Sequence, residues 1–175
     1  YNAALQRNPK SGAARRHLAR MAVLLGRPEE AVAHATAAVA ADARDEASAY
    51  YLGVAQAMLG RDGDAKSALL RVKAGSALFY SAQVQLAVVT ARAGDLNSAI
   101  GLVTTVASDQ KSASRAGALQ VSMLRHAGQK DAAIAEVRRW RRVDPLDAML
   151  RFEEFLLTGM TRACGRISPA IRNAS

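Results

Sequence analysis

The feature of this sequence that most restricts its fold is a fixed spacing of glycines. Four glycines recur 34 residues apart, and an alanine stands five residues after each of them. The four pairs are Gly26 and Ala31, Gly60 and Ala65, Gly94 and Ala99, and Gly128 and Ala133. A constant period of this length is typical of stacked copies of one small supersecondary unit and argues against a single globular core.

Each period contains the pattern of two helices joined by a short turn. Apolar residues at three- and four-residue spacing predict a first helix over residues 13–25. Gly26 can end that helix in the left-handed conformation, and Pro28 suits the first turn of the next helix, which we expect to reach about Ala41. The same pattern predicts further pairs over residues 46–59 and 63–74, 78–93 and 96–107, and 113–127 and 130–143.

These positions resemble the tetratricopeptide repeat (TPR) motif, which has W-x2-L-G-x2-Y in its first helix and A-x3-F in its second. The leucine of the motif and the small residue after it fall on Leu18 and Ala19, Leu52 and Gly53, and Leu86 and Ala87. The alanine that opens the second helix of the motif falls on the four alanines of the period. The resemblance covers about residues 1–158.

The resemblance implies an all-α fold, an α-α superhelix (solenoid) of antiparallel helix pairs. Counting from Gly26 as motif position 15 gives four full units, preceded by a partial unit and followed by a capping helix and a tail. The predicted boundaries are residues 1–11 for the partial unit, which supplies a second helix only, 12–45, 46–79, 80–113 and 114–147 for the four units, 148–159 for the capping helix, and 160–175 for a loosely ordered tail.

The fourth unit departs from the motif. Gln120 stands at the position of the leucine, Val121 where a small residue is usual, and Trp140 where alanine is usual. The tryptophan of the motif is absent from all four units, and Gly117 takes its place in the fourth. We therefore expect the fourth hairpin to pack more loosely, or at a different angle, than the others.

In TPR proteins the first helices of the units line a concave groove, so the resemblance implies a binding surface at motif positions 2, 5, 9, 12 and 13. The apolar candidates are Tyr50, Val54, Met58, Val84 and Val88, and the basic candidates at the two ends are Arg16, Arg20, Arg92, Arg115, Arg125 and His126. Contiguous apolar surface often marks a contact site. The pattern predicts a protein or peptide partner that is apolar in its centre and acidic at one end. The alternative is that neighbouring helices cover these residues.

The formal net charge of +9 permits two interpretations. It reflects codon usage and solubility, or it indicates an acidic partner such as nucleic acid, an anionic membrane surface or an acidic peptide. The densest basic stretch places Arg138, Arg139, Arg141 and Arg142 around Trp140. Because Trp140 stands at a core-facing motif position, we interpret the stretch as a solvated helix face, which disfavours nucleic acid as the partner.

No motif in the sequence indicates catalysis, a metal site or a cofactor. His17, His34 and His126 lack metal-ligand spacing, and Cys164 alone cannot form an internal disulfide or a zinc site. The sequence contains neither a glycine-rich phosphate loop nor a nucleophile elbow. No apolar run approaches the roughly 18 residues of a membrane span. We therefore expect a non-enzymatic interaction protein.

The segment DPLDAMLRFEEFLL supports a second function. It resembles a segment of large bacterial proteins in which TPR units follow a sugar-mutarotase-like β-sandwich domain. The residues that carry this resemblance are Asp144, Pro145, Leu146, Arg151, Phe152 and Glu153. It implies an accessory TPR module of a larger carbohydrate-active bacterial protein, and a basic nucleic-acid-associated protein is the third possibility. Because the chain opens within a repeat, self-association through the open N-terminal end is a further expectation.

Overall fold

The computed structural model describes residues 6–8, 10–108 and 113–159, and the regular elements in these ranges are helical. Within them the helices are α1 (Gly12–Leu24), α2 (Pro28–Ala41), α3 (Glu46–Met58), α4 (Asp62–Leu69), α5 (Phe79–Arg92), α6 (Leu96–Ala107), α7 (Ala113–His126), α8 (Lys130–Val143) and α9 (Ala148–Thr158). The all-α repeat fold predicted from the glycine period is confirmed. Most of the predicted partial unit, residues 1–11, and the predicted tail, residues 160–175, lie outside the described residues.

Two compact units make up the chain. The first, Tyr1–Val106, contains α1 to α6 apart from the last residue of α6, and the second, Ala107–Ser175, contains α7 to α9. In the first unit α1 packs against α2 and α3 against α4, while α3 also contacts α1, α2 and α5. In the second unit α7 and α8 form a hairpin, and α9 packs against both. The first helices α1, α3 and α7 therefore each pack against the second helix of their own pair, and each also contacts a helix outside that pair.

The glycines of the period end the first helices in the left-handed conformation. Their φ angles are 68° at Gly26, 72° at Gly60, 92° at Gly94 and 73° at Gly128. After α1, the Arg27 N–H donates to the Ala22 carbonyl oxygen at 2.8 Å, and the Gly26 N–H donates to the Val23 carbonyl oxygen at 3.1 Å. Positive φ at this position favours glycine because a side chain is strained there. The period thus follows from one repeated turn.

The alanines of the period are buried at the contact between the two helices of each pair. Ala31, Ala65, Ala99 and Ala133 have no accessible surface. Ala31 packs with Ala22 and Ala55, and Ala65 packs with Ala57 and Val89. Small side chains on both sides allow the helix axes to approach closely, and the dense packing of alanine and valine fills the space between repeats.

The second helix of the second repeat is shorter than the sequence indicates. Residues 63–74 are predicted to be helical, whereas α4 ends at Leu69. The N–H groups of Arg71 and Val72 donate to carbonyls three residues back, at 3.2 and 3.1 Å, so the last turn tightens to 3₁₀-type bonding and the helix stops. The chain then passes through Gly75, whose φ is 95°, before α5 begins.

The fourth hairpin contains a large residue where the motif has a small one, and the opposite helix compensates for it. The Trp140 side chain on α8 is 3% exposed and lies directly over Gly117 on α7. A Cβ atom at Gly117 would lie 2.5 Å from Trp140 Cδ2, so only glycine leaves room for the ring. Val121 is also fully buried. At these residues the hairpin is tightly packed, so the loose packing predicted from the sequence is not found there.

Candidate peptide-binding surface

The predicted groove residues of the first unit lie on three neighbouring helices, α1, α3 and α5, with α3 in contact with both others. Tyr50, Val54, Val84 and Val88 are half-buried, and Met58 is 46% exposed. We call these five residues the apolar row. Within the described part of the chain they remain partly open to solvent, so neighbouring helices do not cover them completely.

Tyr50 connects the apolar row to the core beneath it. Its ring packs against a cluster of buried residues that includes Leu69 and Leu86. Burial raises the pKa of the Tyr50 hydroxyl, Tyr51 adds to this increase, and a hydrogen bond with the Ser81 side chain on α5 opposes it. Tyr50, on α3, therefore packs against buried residues of α4 and α5.

Two of the basic residues predicted at the groove ends are engaged within the first unit. Arg16 Nη1 donates to Asp45 Oδ2 at 3.1 Å. Arg92 Nη2 donates to the Ala57 carbonyl oxygen at 2.9 Å and also pairs with Asp62. Each of these arginines links a first helix to the adjacent repeat, and a carboxylate of the same unit already compensates its charge. They are therefore less available to a ligand than the sequence indicates.

Asp45 stabilises the N-terminus of α3 as well as pairing with Arg16. Its Oδ1 accepts the Ser48 N–H at 3.1 Å, and its Oδ2 accepts the Ser48 hydroxyl at 2.7 Å. Burial opposes ionisation, but these two hydrogen bonds and the Arg16 guanidinium together hold the pKa of Asp45 below its usual value. The carboxylate therefore serves both the helix cap and the junction between repeats.

Arg20 differs from the other basic candidates of the first unit. It lies one turn after Arg16 on α1 and is exposed. Its side chain has no hydrogen bond or ion pair with any residue in the described ranges. Arg20 therefore presents a free positive charge on the same helix face as the start of the predicted groove.

The remaining basic candidates belong to the second unit. Arg125 Nε donates to Glu153 Oε2 at 2.8 Å, and Glu153 is only 4% exposed, so this ion pair ties α7 to α9. His126 Nδ1 lies 2.8 Å from the Ser122 carbonyl oxygen. The side chain of Arg115 lies outside the described residues. The structure thus shows that Arg125 has a structural partner inside its own unit.

The sequence prediction omitted three residues that continue the groove positions. Continuing the 34-residue count makes Ala148 position 1 of a further first helix, which puts Met149, Phe152 and Leu156 at positions 2, 5 and 9. All three are exposed on α9. The early Gly159 led to the interpretation of this segment as a capping helix, whereas the unbroken count would have found them.

The basic stretch around Trp140 does not present its aromatic ring to solvent. The Trp140 ring is buried on Gly117, with the Arg139 guanidinium 5.2 Å from the ring centroid. Arg139 pairs with Glu136 at 3.4 Å, and Arg141 pairs with Glu154 at 2.8 Å. A buried indole cannot stack on a nucleic acid base, so this stretch lacks the aromatic platform that single-strand binding uses.

The described residues contain no group of three or more His, Cys, Asp or Glu side chains arranged to hold a metal ion. Helices in the same ranges also fall short of the length and apolar character needed to cross a bilayer.

Comparison with known proteins places the fold. No family model matches the chain, and no curated protein matches its sequence. Among solved structures, the TPR protein YrrB superposes with a TM-score of 0.71 at 16% identity, covering 95% of this chain and 84% of its own. TTC0263, a thermophilic TPR protein of Thermus thermophilus, gives 0.71 at 20% identity, covering 90% and 86%. The type IV pilus biogenesis factor PilW gives 0.74 at 23% identity, covering 85% and 70%.

These similarities agree with the glycine turns, the buried alanines and the paired helices. The positive-φ glycines supply the turn of each repeat, and the fully buried alanines supply its close helix contact. Identities of this size establish the fold alone. This chain has the helical-repeat fold of the tetratricopeptide-repeat proteins.

Proposed function

We propose that this chain is a non-catalytic scaffold that binds an extended or helical peptide segment of another protein across α1, α3 and α5. The observation that carries the proposal is the apolar row, five apolar side chains on adjacent first helices that the described residues leave partly open to solvent. Apolar side chains arranged contiguously on a rigid scaffold gain free energy when a partner removes them from water.

The charged residues near the apolar row indicate which charges the bound segment would carry. The charges of Arg16 and Arg92 are compensated by Asp45 and Asp62, so these two arginines attract an acidic ligand only weakly. Arg20 has no such partner and would attract an acidic residue of the bound segment. The proposed segment is therefore apolar along its centre, with an acidic residue at the end that reaches α1.

A similar protein provides a precedent. YrrB is described as a TPR protein with an unusual peptide-binding site. Its similarity to this chain lies in the fold. The precedent supports peptide binding as the kind of function that this repeat fold performs, and the apolar row supplies the surface in this chain.

The test is a double substitution in the apolar row, Val54→Asp with Val88→Asp. Peptides selected from a displayed library on the wild-type chain would be measured by isothermal titration calorimetry. Two buried carboxylates at a desolvated contact should weaken binding by about tenfold or more. Leu70→Asp, an exposed leucine after α4, is the matched control and should bind as the wild type does. A folded double variant with unchanged affinity would contradict the proposal.

Two other expectations stay predictions. An accessory module of a carbohydrate-active protein would have the same repeat fold, so the fold does not separate it from an interaction scaffold. Self-association through the open N-terminal end concerns the partial unit, residues 1–11, most of which lies outside the described residues.

A further inference from the structure

The last described helix, α9, has an apolar side with no packing partner in the described part of the chain. Leu150 and Leu157 face the interior of the second unit and are buried. On the opposite side Met149, Phe152 and Phe155 are each more than half exposed, and Leu156 is 40% exposed. Their three- and four-residue spacing aligns them on one side of the helix. We call these four residues the α9 face.

The size of Phe155 distinguishes this helix from the first helices of the other repeats. Phe155 stands at motif position 8, where the four preceding units have Ala19, Gly53, Ala87 and Val121. Those four residues are buried. A small residue at this position permits the close approach of a second helix, whereas a phenylalanine occupies that space. The α9 face therefore fits a wider-spaced occupant than the second helix of an ordinary repeat.

The charge beside the α9 face is positive and uncompensated. Arg151 is exposed, and its side chain has no hydrogen bond or ion pair with any residue the structure describes. The two acidic residues of the helix are already paired, Glu153 with Arg125 and Glu154 with Arg141. An occupant that carries an acidic residue beside its apolar side would therefore find a partner in Arg151.

We propose that the α9 face is a second docking surface, which binds an amphipathic helix of a partner protein with one apolar side and an acidic flank. The surface lies entirely within the second unit, so it does not depend on the apolar row of the first. Binding of an amphipathic helix through apolar residues spaced three and four apart is a common mode of peptide recognition.

Charge argues against two other occupants. A second copy of this chain would bring together two molecules of net charge +9, and their repulsion opposes association. Residues 160–175 of the same chain contain Arg162, Arg166 and Arg172 but neither aspartate nor glutamate. Residues 160–175 therefore offer no carboxylate to Arg151, and a second copy would have to overcome the repulsion between two net positive charges.

The test uses two synthetic peptides and the full chain. One peptide is an amphipathic helix with leucines on one side and glutamates flanking them, labelled with fluorescein, and the other replaces each glutamate with lysine. Fluorescence anisotropy should show the acidic peptide binding at least about tenfold more tightly than the basic one, since opposite charges attract and like charges repel across an interface.

Variants then locate the bound peptide. Phe152→Ser with Phe155→Ser should lower the affinity about tenfold or more, as expected for aromatic anchors at an interface. Arg151→Glu, which leaves the apolar side chains in place, should reverse the preference between the two peptides. The matched control is Leu70→Ser, which removes an exposed leucine of the first unit and should change neither affinity.

Several results would overturn the proposal. Equal affinity for the two peptides would show that Arg151 does not contribute to binding. Loss of binding only in the Val54→Asp, Val88→Asp variant would show that the peptide binds to the apolar row instead. A concentration-dependent doubling of mass that Phe152→Ser abolishes would assign the face to a second copy. A tenfold gain in peptide affinity after Ile167→Ser and Ile171→Ser would assign it to residues 160–175.

Discussion

Two glycines inside helices, Gly53 and Gly117, are required by the lack of space around them. A Cβ atom at Gly53 would lie 2.5 Å from Leu69 Cγ, and one at Gly117 would lie equally close to the Trp140 ring. In each case the glycine is on the first helix of a hairpin and the large side chain is on the second. The pairs are complementary contacts, because a large residue on one helix requires the absence of a side chain on the other.

We expect Gly53→Ala to destabilise the protein although alanine is the better helix former. The new methyl group must displace Leu69 in a packed interior, which costs about 1–3 kcal/mol. Gly101→Ala in α6 is the matched control, because a Cβ there meets nothing within 4 Å. That change should be neutral or stabilising by up to about 1 kcal/mol. Urea unfolding followed by circular dichroism measures both, and equal stabilities of the two variants would refute the packing argument.

The Trp140–Gly117 contact supports a prediction of compensation. Trp140→Ala should lower the free energy of unfolding by about 3–5 kcal/mol, because it leaves a cavity beneath α7. Gly117→Leu alone should also destabilise, by overpacking against the ring. In the double variant the leucine can enter the space that the ring leaves, so part of the stability should return. A double-mutant cycle by thermal unfolding tests this, and strictly additive effects would show that the two residues do not compensate.

The junctions between repeats depend on side chains at the ends of helices. Asp45 caps α3 through Ser48 and also accepts the Arg16 guanidinium from α1. Arg71 Nη2, beyond the end of α4, donates to the Ala43 carbonyl oxygen at 2.7 Å. Because each of these contacts joins one hairpin to the next, they add to the neighbour-to-neighbour packing on which a repeat protein depends.

The lowered pKa of Asp45 predicts part of the acid sensitivity of the protein. A carboxyl group with a lower pKa in the folded state stabilises the fold above its unfolded pKa, near 3.9, and this contribution is lost as pH falls through the folded pKa. Asp45→Asn keeps a capping oxygen but removes the charge. Between pH 7 and pH 3 the variant should therefore lose less stability than the wild type does.

Urea unfolding at several pH values measures this difference. Asp64→Asn, which removes an exposed aspartate from the same unit, is the matched control. If Asp45→Asn and the wild type lost the same stability on acidification, the ion pair and cap would not contribute to it.

The sequence predicts the bounds of several helices closely. Predicted and observed bounds of α6 and α8 agree at both ends, and those of α1 differ by one residue. The early end of α4 is not predictable, because the apolar spacing of residues 63–74 continues past it. The spacing of apolar residues indicates which side chains face the core. It does not indicate where the backbone tightens and the helix ends.

For the candidate site, the sequence predicts which helices carry the residues but not how their charges are paired. The repeat count correctly places Tyr50, Val54 and Val88 on neighbouring first helices, since position in the repeat fixes the helix face. It does not show that Arg16 is paired with Asp45, because the pairing joins residues 29 apart that only the folded stack brings together. The number of charged residues in the sequence therefore overestimates the charge that is available to a ligand.

For the whole molecule, the net charge of +9 is distributed unevenly between structural and free cations. Arg16, Arg92 and Arg125 join elements within their units, whereas Arg20 and Arg151 have no side-chain partner in the described ranges. The proposed binding surfaces each contain one of these free arginines beside apolar side chains, one surface in each compact unit. If both bind segments of one partner, the second contact would form at high effective concentration and raise the avidity.

The short α4 helix has a practical consequence for engineering this protein. Between Leu69 and Phe79 the chain runs through turns, and Lys73, Ala74 and Gly75 are exposed at its surface. Exposed turns with small and polar residues are the positions where proteins best tolerate inserted sequence. A fluorophore attachment site or an affinity tag placed after Ala74 would interrupt no helix, and it would leave the glycine turns that define the repeat untouched.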